Sequence, residues 1–473
     1  MTSLPMYYFS AVWGKDYTQQ YLTAVLPTFL AAENFGSSHG LTQDRYFIYT
    51  TRDDAALIQS SPQYQALCRM INTEVRLFDG GTPRTDGKRP PAWDSNRMVN
   101  QLYAQVIPES IRAKAALVML TPDQPWSNGS FAAMRRILMS GKRVVSLNCL
   151  MVDADTCIPE MQKHYNTTTC QMPISSRDMV RLGLSHLHEI QSCFYVNAPH
   201  FPNYGPSSYL WEVEGEGSLM YIIGGDPKAI IHPENGADWP MENGFEVIEH
   251  IYQLGMQDSD LYWAQESDEI YTYALDFRCY EDADFSVDPE RLDGPISSLQ
   301  AAHWIKANVS KPKQRLLSMP MHMNYGEKTE RWAAVEQQAN AYMQQIFACI
   351  DFLDSHSIIA EDLDSVLSQI SSYRTNQQLL QDSLENFVNA SAQLPDQTKV
   401  HAQLFKKCGI QGDVDGALKH LLAMGPSDLE RSIEVVQETA TLLNMTRRQQ
   451  TAQQLLGGSQ AILRAYLDSI GRT

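Results

Sequence analysis

Through the first 150 positions, short continuous apolar runs alternate with stretches whose apolar residues recur at helical spacing. Residues 7–12 (YYFSAV), 46–50 (YFIYT), 74–78 and 115–120 (AALVML) carry the β-branched and aromatic residues of strands. The last run is apolar enough to be buried on both faces. Residues 17–30, a stretch after Asp54, and 97–106 read as helices, with Pro27 expected to kink or end the first. The pattern is sharpest after residue 120. Thr121-Pro122-Asp123 stops the strand and leaves a carboxylate just past its carboxyl end. Ser127-Asn128-Gly129-Ser130 then caps a helix reaching to about Ser140. Gly141 ends that helix, and residues 142–147 form the next strand. Strand, acidic loop, helix, strand is an α/β crossover, and it predicts a doubly wound domain with ligands beyond the strands' carboxyl ends.

From residue 153 to 325 the texture changes. Residues 175–190 read as a helix ending in LSHLHEI, and 209–223 (YLWEVEGEGSLMYII) as a hairpin about Gly215-Glu216-Gly217. Residues 224–236 (GGDPKAIIHPENG) put a short apolar centre between turns. This middle region is expected to be an antiparallel addition to the first sheet. Beyond Glu327 the pattern is helical, with one stripe from Trp332 through Ala339 and Ile346 to Ile350 and another from Leu363 to Phe387. Ser427-Asp428-Leu429-Glu430 reads as a capping box, repeated at Thr446 to Gln449. The expected division is therefore 1–326, in halves 1–150 and 151–326, and a helical 327–473.

Composition narrows the class. A chain of 473 residues exceeds one ordinary domain, and 43% hydrophobic residues supply a sizeable core. A net charge of −18 argues against general nucleic-acid binding. The eight cysteines contain no C-x-x-C pair and read as free or buried thiols. Residues 1–8 lack the basic start and apolar core of a secretory signal, and no stretch approaches the roughly 18 apolar residues of a membrane span. A soluble, cytoplasmic protein is expected.

Four groups of residues are candidates for chemistry. Trp13 and Gly14 follow the first strand, where glycine lets a ligand approach the backbone and an aromatic stacks a base; a plain turn explains them nearly as well. Asp123 competes with a literal D-x-D at Asp153-Ala154-Asp155, whose acids would point the same way on an extended segment. Asp123 is preferred because it follows a clear buried strand. His232 lies in a turn-rich segment, whereas His186 and His188 are two apart and face different ways on a helix. Glu266-Ser267-Asp268-Glu269 lies among Tyr262, Trp263, Tyr271 and Tyr273, which suits either a general base in a sugar-facing pocket or a solvated helix start. There is no G-x-G-x-x-G and no P-loop.

Taken in order, AVWGKDYTQQYLTAVLPTFLAAEN, FIYTTRDDAALIQ, LVMLTPDQPWSNGSFAAM, LGLSHLHEI, DPKAIIHP and ESDEIYTYAL resemble segments of a bacterial group of GT-A-type glycosyltransferases over residues 7–277. The resemblance implies a GT-A-like, Rossmann-like mixed sheet that binds a nucleotide sugar, its nucleotide half within 1–150 and its acceptor half within 151–326. It implies sugar transfer from a nucleotide diphosphate to an unidentified acceptor, with Trp13, Gly14, Thr51 and Arg52 around the nucleotide. Asp123 would hold Mn or Mg, His232 would be a second ligand, and Asp268 or Glu269 the base or acceptor-binding acid. Asp123-Gln124-Pro125 carries one carboxylate where many relatives have two, and without a metal Arg52 or Lys228 would meet the diphosphate. The alternatives are an inactive scaffold whose helical C-terminus binds a partner and a nucleotidyltransferase. The C-terminal stripes also suggest a homo-oligomer.

Overall fold

The structure is a computed structural model. It describes residues 4–35, 43–79, 92–198, 201, 207–223, 225–236, 247–276, 295–355, 397–411, 413–424, scattered positions between 429 and 440, and 449–470. The Leu363–Phe387 stripe and both capping boxes fall largely or wholly outside these residues. The chain divides into two compact units. The first comprises Met1–Pro202, Pro206–Pro289 and Val309–Ala339; the second comprises Asn203–Gly205, Glu290–Asn308 and Asn340–Thr473. The chain thus enters the second unit twice before residue 327 and leaves it each time.

The first unit is an α/β, Rossmann-like domain built on a mixed sheet of seven strands. In sequence these are β1 (Met6–Ala11), β2 (Arg45–Thr50), β3 (Asn72–Leu77), β4 (Ala116–Met119) and β5 (Val144–Leu147). After β6 (Leu150–Asp153), β7 (Ser208–Val213) and β8 (Gly217–Ile222), which lie elsewhere, come β9 (Asp226–Ile230) and β10 (Leu261–Trp263). Their order is β10-β5-β9-β4-β1-β2-β3. All pairs are parallel except those of β9, which runs antiparallel between β4 and β5. Alternate residues feed two cores. Tyr8, Ile48, Val118 and Val145 face one, while Phe9, Tyr49, Leu117 and Val144 face the other. Burial on both faces is why these strands read as unbroken apolar runs.

Three local expectations change. The helix over 17–30 is Lys15–Gln20, a π-helical turn Tyr21–Val25, then Leu26–Phe29. Pro27 has no N–H for the Thr23 carbonyl, and the wider turn absorbs that loss. The helix at 175–190 stops at Ser185; Leu187 bridges Val152, and His188 caps a short turn at Glu189–Ser192. The hairpin β7–β8 forms as expected, but it builds a separate antiparallel sheet with β12 (Met321–Asn324). Among the described residues of the middle region, only β9 and β10 join the first sheet. β11 (Tyr273–Asp276) instead pairs with β6.

In the second unit the described helices include Gln397–Gln411, Val414–Met424 and Gln449–Ile470. Phe405, Leu421, Val435 and Leu455 form its core. Among the described residues no helix is long and apolar enough to cross a membrane.

Candidate functional site

Strand order decides where a ligand fits. β2 and β3 extend the sheet from one side of β1, and β4 returns on the other. The loops after β1 and β4 therefore part, and the crevice between them is where open α/β sheets bind ligands. Trp13 and Gly14 leave β1 there. Trp13 stands edge-on to Phe78, with ring centroids 5.4 Å apart. Gly14 has φ +86°, a left-handed value that favours glycine, and its N–H donates to Asp54 Oδ2 at 2.9 Å. Asp54 also accepts from the Thr51 hydroxyl at 2.7 Å, so one carboxylate joins the loops after β1 and β2. Thr51 caps the helix Arg52–Ser60. Thr51, Arg52, Asp53, Leu77, Phe78 and Asp79 line a hollow of about 240 Å³, below the roughly 300 Å³ at which whole-ligand pockets begin. It suits one ring of a larger ligand.

Across the crevice, Asp123 lies just beyond β4, held by its carbonyl accepting from Leu275 N at 2.8 Å. Its Oδ1 is buried with no hydrogen-bond donor among the described residues. Burial pushes the carboxyl pKa up; the nearby Thr121 hydroxyl, its own amide and Lys228 oppose this, and Asp276 adds to it. Lys228 is buried, and its ammonium donates to Gln124 Oε1 at 3.1 Å. Gln124 in turn donates to Cys149 Sγ at 3.5 Å. Between Val145 and Ser146 the β5–β9 register slips, and Lys228 is the extra residue of that bulge. Bulges re-aim side chains in this way. A carboxylate with an orphan oxygen and a buried ammonium thus share one strand edge.

His232 does not join them. Because β9 is antiparallel, its end lies at the amino edge of β4, with Ile230 opposite Leu117 and Asp123 six residues further on. The expected pair of metal ligands, Asp123 and His232, is therefore separated by the length of the strand. His232 is buried near Tyr103 and His250. Burial, then the charges of His250 and Arg143, push its pKa down to about 3. A depressed histidine contributes stability above its unfolded value of about 6.5 and loses it as pH falls toward 3. Stability is expected to decline over that range, and His232→Gln to flatten the decline. Urea unfolding at stepped pH checks this, and an unchanged slope would refute it.

The acidic cluster is a turn and not a helix start. Asp268 is exposed and pairs with Arg177 at 3.1 Å and with Asn324 Nδ2 at 3.0 Å. Glu269 pairs with Arg136 at 2.9 Å and accepts from the Tyr262 hydroxyl. No hydrogen bond or ion pair among the described residues links either acid to Asp123, Lys228, Gly14 or Thr51. Tyr271 and Tyr273 are fully buried in the core and make no sugar-facing pocket.

The literal D-x-D is likewise not an extended pair. Asp153 ends β6 and caps the helix Ala154–Gln162, accepting from Asp155 N at 3.0 Å. Asp153→Ala is expected to cost about 1 kcal/mol of stability and leave ligand binding unchanged. Asp153→Asn, which also caps, should cost less; paired urea melts and nucleotide titrations read both.

Sequence reasoning missed Gln124, Asn148, Cys149 and Asp276. Asn148 was detectable: it follows β5 as Asp123 follows β4. Fold and site together define a Rossmann-like α/β protein with a polar, partly buried carboxyl-edge crevice. Compared with known family models and with curated proteins, the sequence matches none.

Proposed function

We propose that this protein is a GT-A-type glycosyltransferase that moves a sugar from a nucleoside diphosphate donor to an acceptor. One observation carries the reading: Asp123, with its buried orphan oxygen, and the buried Lys228 stand together at the edge beside the switch between β1 and β4. The nucleobase occupies the hollow beside Thr51, Arg52 and Phe78, and Gly14 lets the diphosphate approach the backbone. Asp123 and Asp276 are hard oxygen donors that fit Mn or Mg, with His232 excluded from the set by its distance along the strand. Such a cation supplies Lewis-acid stabilisation of the leaving diphosphate when bound. Lys228 adds fixed positive charge to the same task. Asp268 and Glu269, engaged by arginines, are given no catalytic role. The reading includes a cytoplasmic location, with the C-terminal helices doing no chemistry.

Calorimetry with common nucleotide sugars, with and without manganese, tests it. Binding of at least one donor is expected. No binding under any condition would end the proposal, and release of pyrophosphate from a nucleoside triphosphate would reassign the site to nucleotidyl transfer.

A further inference from the structure

Gln20 closes the short helix Lys15–Gln20 that begins after Gly14, and it is only 2% exposed. Its Nε2 donates to the carbonyl of Leu275 on β11 at 3.1 Å. Its Oε1 is buried with no hydrogen-bond donor among the described residues. A glutamine kept only to plug this space would leave that oxygen unpaired at a cost of about 1–3 kcal/mol, where an apolar side chain of the same length would cost nothing. A buried amide satisfied on one side alone points to work done for a ligand.

Leu275 is where the two carboxylates of the crevice are set. β11 is registered with β6, Leu275 opposite Val152. The Leu275 N–H donates to Asp123 O at 2.8 Å, and its carbonyl takes the Gln20 amide. The Gln20 side chain thus does for Leu275 what a neighbouring strand would do. The Leu275 carbonyl and the Asp276 nitrogen belong to one planar peptide unit, so the Gln20 bond fixes the start of Asp276 directly. Burial raises the Asp123 pKa, and Asp276 lies near enough to add to that rise. Two carboxylates this close repel, and a backbone free to yield would let Asp276 move away.

We infer that Gln20 is a positioning residue, which holds Asp276 beside Asp123 so that the two carboxylates together take a divalent cation. The inference rests on the proposed function only for the presence of that cation. Hard cations bind to oxygens whose own partners fix their direction. Losing such a partner typically costs about tenfold to a hundredfold in affinity.

The test titrates Mn2+ alone into the full chain, followed by its electron spin resonance signal. The site is defined as the Mn2+ binding that Asp123→Asn removes, and wild type is expected to show it. Gln20→Met, which keeps the length and loses the N–H, should weaken that binding about tenfold or more. Gln20→Leu takes its place if the Met variant fails to fold by circular dichroism. Asp276→Asn should weaken binding as well, and adding Gln20→Met to it should cost about twofold or less, because Gln20 acts through Asp276. A glutamine with a merely structural role would lower the melting temperature and leave Mn2+ affinity alone, or weaken binding equally in both backgrounds. Either result, or absence of the site in wild type, overturns the inference. A Mn2+ site that depends on Gln20, with no turnover of any nucleotide sugar, would instead overturn the glycosyltransferase reading and leave this one standing.

Discussion

Asp123→Asn is expected to lower donor turnover by about a hundredfold or more while raising the melting temperature. Both effects come from one carboxylate. The Asp123 pKa is raised by burial, so the folded protein holds that proton more tightly than the unfolded chain does. Its stabilising contribution is present at low pH and is lost as pH rises through the folded value. At neutral pH the ionised group is therefore a cost to folding, which Asn removes. The same shift places the acid limb of the activity profile above the usual aspartate range of about 3.9. Steady-state kinetics and a thermal melt of the same preparation decide the matter. Lost activity with a lower melting temperature would mean that Asp123 is structural.

Lys228→Met should weaken nucleoside diphosphate binding by about tenfold to a hundredfold, the range for a lost hydrogen bond to a charged group. Met keeps the apolar stem, so β9 should still pack between β4 and β5. Because Lys228 holds the Asp123 pKa down, its removal should move the acid limb of the activity profile to higher pH. A variant that binds donor as wild type does, with an unshifted limb, would remove Lys228 from the site.

Much of the sheet was legible along the chain. Strands at 7–12, 46–50 and 115–120 were found within a residue or two because burial on both faces leaves unbroken apolar runs. Asp123 was legible for the same reason, since a polar stop after such a run can only be a strand end. The site's composition was harder to read. Asp268 and Glu269 look chemical beside four aromatic rings, but rings separated by two positions carry no mark of whether they face solvent or core. Tyr271 and Tyr273 prove to be core, and their acids find arginines on distant segments.

The sequence by itself determined the α/β character, the β1 and β4 loops and the buried strands, because these depend on neighbours along the chain. An antiparallel addition to the sheet was expected from the sequence. Only the tertiary structure decided that β9 is the strand that makes it and that it lies between β4 and β5, and that placement sorts the candidates. It carries Lys228 to the edge that holds Asp123 and His232 to the opposite one. The direction of a strand is set by the partners it meets across the sheet, and a short apolar run reads the same way in both directions.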